Sequence, residues 1–184
     1  MSKVKKAMIT AVCIALCVSF MLLLRVLPGA GAIYSPLLTG VIVCAVTCGA
    51  GCGALCAVAG VLLSAVINGA PSAAMLPAVL AESAVCALIS GLIIARVRLS
   101  PYNTLYVALL SGLLIGCAVG GIVQGLLFAP KAPAFWVWAG GYFVSSLPGM
   151  IIMLVLVPGI LRALAEAGLV PRREISTKEQ INGD

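Results

Sequence analysis

One carboxylate stands inside a long apolar stretch of this chain: Glu82, in the run 77–96, PAVLAESAVCALISGLIIAR. The other acidic residues, Glu166, Glu174, Glu179 and Asp184, fall in or beside the polar C-terminal tail. An ionisable group at the centre of a lipid-spanning helix costs about 2.5–3.5 kcal/mol on insertion scales. Such residues face a protein interior and mark a ligand or ion site by default. Glu82 is therefore the first residue to which chemistry is assigned. Arg25, Tyr34, Asn68, Gln124, Trp138 and Tyr142 join it as side chains that can exchange hydrogen bonds with a solute or cover a planar ring.

Catalysis has little to work with. The chain has no histidine and no second embedded carboxylate. No set of nucleophile, base and orienting group can be assembled, and no glycine-rich phosphate loop with its lysine appears. The expectation is a protein that is not an enzyme and uses no cofactor. The eight cysteines include Cys44, Cys48, Cys52 and Cys56, spaced by four. That spacing would stack four thiols on one continuous helix, and thiolates bind soft metals. Gly49 and Gly51 are placed to interrupt the helix, and cysteine also serves as a small buried hydrophobe, so no metal site is assigned.

The elements that position Glu82 follow from composition. Of 184 residues, 63% are hydrophobic and 9% charged, with mean hydropathy +1.25. Soluble domains run about 45–50% apolar and about 25% charged. The chain reads as an all-α integral membrane protein, because helices satisfy their own backbone hydrogen bonds in lipid. Segments of near-spanning length cover 7–27, 35–47, 53–68, 77–95, 102–128 and 142–164, the second of them short for a bilayer. The first resembles a signal peptide but lacks a clear cleavage site, so it is kept as a helix. Pro77 suits a first helical turn, Pro148 is placed to kink the last helix, and 129–141 is expected to be an extramembrane loop. The expected organisation is a six-helix membrane domain over 1–170 and a polar tail over 171–184.

Six transmembrane helices put both termini on one side. With that side inside, nine of the eleven basic residues lie inside: Lys3, Lys5, Lys6, Arg96, Arg98, Arg162, Arg172, Arg173 and Lys178. Only Arg25 and Lys131 lie outside. This matches the positive-inside rule and makes both termini cytoplasmic. The net charge of +6 then reports topology and an anionic lipid leaflet rather than a nucleic-acid partner. The same orientation places Arg25, Tyr34, Asn68, Glu82, Gln124, Trp138 and Tyr142 toward the outer ends of their segments, where a small-solute pocket between helices would sit. The loop 28–35, with Gly29, Gly31 and Tyr34, would cover it.

Ala7, Ala11 and Ala15 recur every fourth position and share one helix face. Small residues at that spacing admit another helix at close range. Taken together with Pro28-Gly29-Ala30-Gly31, Tyr34-Ser35-Pro36 and Met75-Leu76-Pro77 leading to Glu82, this pattern resembles the substrate-binding S components of energy-coupling factor (ECF) vitamin transporters. The resemblance spans about residues 7–165. The chain departs from it at Ser35-Pro36-Leu37-Leu38, where many relatives carry a Pro-Met-His run. The resemblance implies a bacterial plasma-membrane subunit that binds a vitamin or vitamin precursor from outside. It implies docking of the coupling transmembrane subunit on Ala7, Ala11 and Ala15, with two ATPase subunits on other chains driving uptake. Two other readings remain open on the sequence: a structural membrane protein of the cell-shape machinery, resembling the rod-shape protein MreD, and a small secondary transporter.

Overall fold

The computed structural model describes residues 3–24, 37–69, 71–97, 101–128 and 134–166. Those residues form six helices: α1 Lys3–Leu24, α2 Leu37–Cys48, α3 Ala50–Asn68, α4 Leu76–Arg96, α5 Pro101–Phe128 and α6 Ala134–Glu166. Five are long and apolar enough to cross a membrane. The sixth, α2, has 12 residues, about 18 Å at about 1.5 Å per residue, against about 30 Å of hydrocarbon. Six full spans are therefore not what the described residues supply.

The short helix α2 is the interior of the bundle. Eleven of its residues are buried, Thr39 among them. A helix that is apolar on every side belongs in a core, and α2 is packed among α1, α3, α4 and α6. Its Thr39 hydroxyl lies 3.1 Å from the Met153 sulfur of α6. The link from α2 to α3 is a single residue, Gly49, at φ 98° and ψ 166°. A side chain there would be strained, so the glycine is what makes so sharp a reversal possible. This break divides the cysteine series, as its glycines suggested. Cys44 and Cys48 stay on α2, while Cys52 and Cys56 start α3. The thiols fill narrow helix contacts: Cys17 donates to the Leu37 carbonyl at 3.3 Å, Cys44 to the Cys52 carbonyl at 3.5 Å and Cys48 to the Lys6 carbonyl at 3.8 Å.

The pairing of α4 with α5 is an antiparallel ladder of small groups. On α5, Ala108, Gly112, Gly116, Gly120 and Gln124 recur every fourth residue and are all buried. Opposite them on α4 run Ser90, Cys86 and Glu82. A methyl group at Gly112 would overlap the Ser90 hydroxyl. One at Gly116 would sit 3.0 Å from both the Cys86 Cβ and the Glu82 carbonyl oxygen. One at Gly120 would sit 3.0 Å from the Glu82 Cβ. The backbones are thus as close as glycine permits, and the Ser90 hydroxyl donates across the seam to the Ala108 carbonyl at 3.1 Å. In lipid, where apolar surface gains nothing by leaving its solvent, such close packing and bonding hold helices together.

Helix α6 corrects the expected loop over 129–141. It begins at Ala134 and runs through Gly140, Gly141, Pro148 and Pro158 to Glu166. Its first turns are held by tertiary contacts that the glycines do not weaken: Phe135 packs on Gly125, and Trp138 stacks on Phe128 with centroids 5.1 Å apart. Glycine is also better tolerated in membrane helices than in soluble ones.

The ladder predicts unequal effects of adding one methyl group. Gly116→Ala should destabilise the fold by about 1–3 kcal/mol through overpacking. Gly51→Ala, where a Cβ meets nothing within 4 Å, should be neutral or stabilise by about 0.5–1 kcal/mol. Thermal melting in detergent compares the two; equal melting temperatures would contradict the ladder.

Candidate functional site

Glu82 lies near the start of α4, one end of the bundle. The ladder sets its neighbours. Because residue 120 has no side chain, the Glu82 stem lies directly on the α5 backbone, and the ring of Tyr142 on α6 reaches over the same spot. A Cβ at position 120 would stand 3.1 Å from the Tyr142 Cε1 and 3.2 Å from its hydroxyl. The Tyr142 hydroxyl donates to Glu82 Oε2. Three helices therefore converge on one carboxyl group, which is 5% exposed. The Tyr142 carbonyl in turn accepts from the Ser145 and Ser146 hydroxyls, each at 2.9 Å.

Gln124 lies one turn beyond Gly120 on the same buried face of α5 and is 4% exposed. Gln124 thus shares the buried face of α5 that carries Gly120. Its Oε1 atom is buried and has no hydrogen-bond partner. An unmet buried acceptor costs about 1–3 kcal/mol.

Asn68 falls at the same end of the bundle but in another contact. It closes α3, whose C-cap is Gly69 at φ 64°. Its Nδ2 donates to the Ser64 hydroxyl at 3.2 Å and to the Val18 carbonyl of α1 at 3.4 Å. The hydrogen-bond partner of Glu82 is Tyr142. The Oδ1 of Asn68, like Gln124 Oε1, is buried without a partner. Trp138 is 43% exposed and stacked on Phe128, so it borders this end of the bundle rather than lining its interior. Arg25, Tyr34 and the cover expected over 28–35 lie outside the described residues, as does the tail over 171–184.

The described basic side chains gather at the opposite end. Lys3, Lys5 and Lys6 open α1, where Lys6 abuts Cys48, and Ala50 abuts Gly91 near the close of α4 at Arg96. Arg162 lies in the last turns of α6, which runs antiparallel to α5. Among the described residues, no basic side chain stands at the Glu82 end. Nor is any group of three or more His, Cys, Asp or Glu residues among them arranged to hold a metal ion.

No family model matches the chain, and neither the curated proteins nor the solved structures contain a match to it. What the site can do follows from its own chemistry: hydrogen-bond acceptors sunk in an apolar bundle, with one hydroxyl donor already engaged. Two partners of Glu82 were not visible as partners in the sequence. Gly116 and Gly120 carry a readable signal, the small-xxx-small repeat Gly112-Gly116-Gly120, which marks a close helix seam.

The site predicts a non-additive response to mutation. Tyr142→Phe leaves a buried carboxyl short of its donor and should cost about 1–3 kcal/mol. Adding Glu82→Leu to that variant should recover most of the loss, because both partners are then apolar. Unfolding of the two single variants and the double variant measures the coupling; additive losses would show that the bond contributes nothing.

Proposed function

We propose that this chain is the membrane-embedded solute-binding subunit, or S component, of an energy-coupling factor importer for a vitamin or vitamin precursor. The observation that carries the reading is Glu82: a carboxyl buried in an apolar helix and held by Tyr142. Polar groups so placed are costly in lipid and mark functional sites. They stand at one end of the bundle, with the described basic residues at the other. With the basic end cytoplasmic, the site opens toward the outer leaflet of a bacterial plasma membrane and both termini face inward.

Energy for uptake comes from elsewhere, since the chain has no phosphate-binding loop. A coupling transmembrane subunit and two ATPase subunits supply it. The docking face is Ala7, Ala11 and Ala15 on α1, all three exposed in the isolated chain. That exposure favours an external partner over an internal helix contact for this face, and the flanking exposed Val4, Met8 and Val12 make the face apolar throughout.

Ala11→Leu adds bulk to this face without adding charge. The variant should insert, melt like the wild type and lose copurification with coexpressed coupling and ATPase subunits. A complex that still forms refutes the docking role. An unfolding free energy lowered by about 1–3 kcal/mol would show instead that the face is packed inside the protein.

A further inference from the structure

The last helix changes character part-way along. From Ala134 to Ser145 no residue of α6 is buried, whereas Ser146, Gly149, Met150, Met153, Val157 and Leu161 are. The second half is therefore anchored in the core, where the Met153 sulfur also meets the Thr39 hydroxyl of α2. The first half lies along the last turns of α5: Phe135 on Gly125, the Ala139 carbonyl on Gly121, Tyr142 on Gly120 and Trp138 on Phe128. Among the described hydrogen bonds, only the one from Tyr142 to Glu82 ties this half to α4. We infer that this bond is a latch, and that 134–147 swings about the turn before Pro148 to uncover Glu82. The inference rests on the solute-binding reading above and adds the route by which a solute reaches the carboxyl.

The backbone between the two halves is the weakest stretch of α6. Gly140 and Gly141 stand just before Tyr142, and a Cβ at either would meet nothing within 4 Å. Glycine weakens a helix interior because it has the most backbone freedom to lose. Pro148 has no N–H to offer the Val144 carbonyl, and its ring crowds that group. Between them, the Ser145 and Ser146 hydroxyls both donate to the Tyr142 carbonyl at 2.9 Å, a back-bond that loosens and bends helices. Prolines and glycine–serine turns are where helices kink, and a hinge needs only a few such positions. A segment with few buried contacts also opens more readily than the core does. The latch sits where such an opening matters. Glu82 is buried with its stem on Gly120, and the Tyr142 ring covers the same spot. A solute engages Oε2 by taking the place of the Tyr142 hydroxyl, and it has room there once this turn of α6 moves off α5. Gly120 and Gly121 present no side chain to block that movement.

Hydrogen–deuterium exchange on the purified full-length protein in lipid nanodiscs, with no solute added, tests the hinge. Amides of 136–147 should exchange faster than those of 150–164. Tyr142→Phe should speed exchange over 136–147 about tenfold, the equivalent of about 1.4 kcal/mol, and change 150–164 by less than about twofold. Pro148→Ala restores the missing N–H and leaves Glu82 and Tyr142 in place. It should slow exchange over 136–147. It should also slow the modification of Glu82 by dicyclohexylcarbodiimide, a lipid-soluble reagent for buried carboxyls, followed by peptide mass spectrometry. Where Tyr142→Phe is too unstable to purify, Pro148→Ala carries the test alone. Equal acceleration of both halves in Tyr142→Phe, or wild-type exchange or wild-type Glu82 modification in Pro148→Ala, overturns the inference. The two readings fail separately. A protein that exchanges as stated but carries no solute loses the solute-binding reading and keeps the hinge. One that binds a solute, with exchange unchanged by either substitution, loses the hinge alone.

Discussion

Everything at the Glu82 end depends on how closely α4 and α5 approach. Three glycines spaced by four remove the side chains that would hold the helices apart, and Ser90, Cys86 and Glu82 occupy the space they leave. Glu82 is consequently buried where the α4 and α5 backbones meet, with the Tyr142 ring over the same spot. The same absence of a Cβ at Gly120 lets Tyr142 of α6 reach the carboxyl. A bulkier residue at 120 would separate all three helices and dissolve the site in one step. Close helix packing and a buried polar group are thus one design here: the seam that secures the bundle also creates the polar spot.

The rest of the bundle supplies rigidity around that seam. Helix α2 is too short to cross lipid and is buried on every side, so it acts as a central pillar for α1, α3, α4 and α6. Its contacts use small side chains: Gly40 against Cys17, and Ala45 against Gly53. Cysteine fits this role because it is compact, apolar and a weak donor to nearby carbonyls. The four-residue cysteine spacing that suggests a metal stripe comes from two helices, each packing a thiol against its neighbour's backbone.

The helices of this fold are legible in the sequence because lipid demands long apolar runs, and the runs ending near Asn68, Arg96 and Phe128 coincide with α3, α4 and α5. Pro77 sits in the first turn of α4, where a proline's missing N–H costs nothing. The start of α6 was not legible. Gly140 and Gly141 read as a loop, and the stacking of Trp138 on Phe128 and of Phe135 on Gly125 that holds those turns helical is a long-range property. At the site, the placement of Glu82, Gln124 and Tyr142 at one end of the bundle was legible from their positions in their segments. The partner of Glu82 was not, because hydrogen-bond partners are set by the register of α4, α5 and α6. That register comes from the Gly112-Gly116-Gly120 repeat, a pattern present in the sequence that chemistry-bearing residue types alone do not reveal. Asn68, at the same end of the bundle, bonds the Val18 carbonyl of α1 rather than Glu82, a pairing set by the packing of α3 on α1.

The central claim is that Glu82 is kept buried in order to hold a solute. Native mass spectrometry of the protein, purified in parallel as wild type and as Glu82→Gln, tests it most directly. The account predicts a small solute bound to the wild type and lost from a variant that melts within a few degrees of it. A wild-type protein that carries no solute even when purified without washing, or a variant that retains the same molecule at the same occupancy, would contradict it.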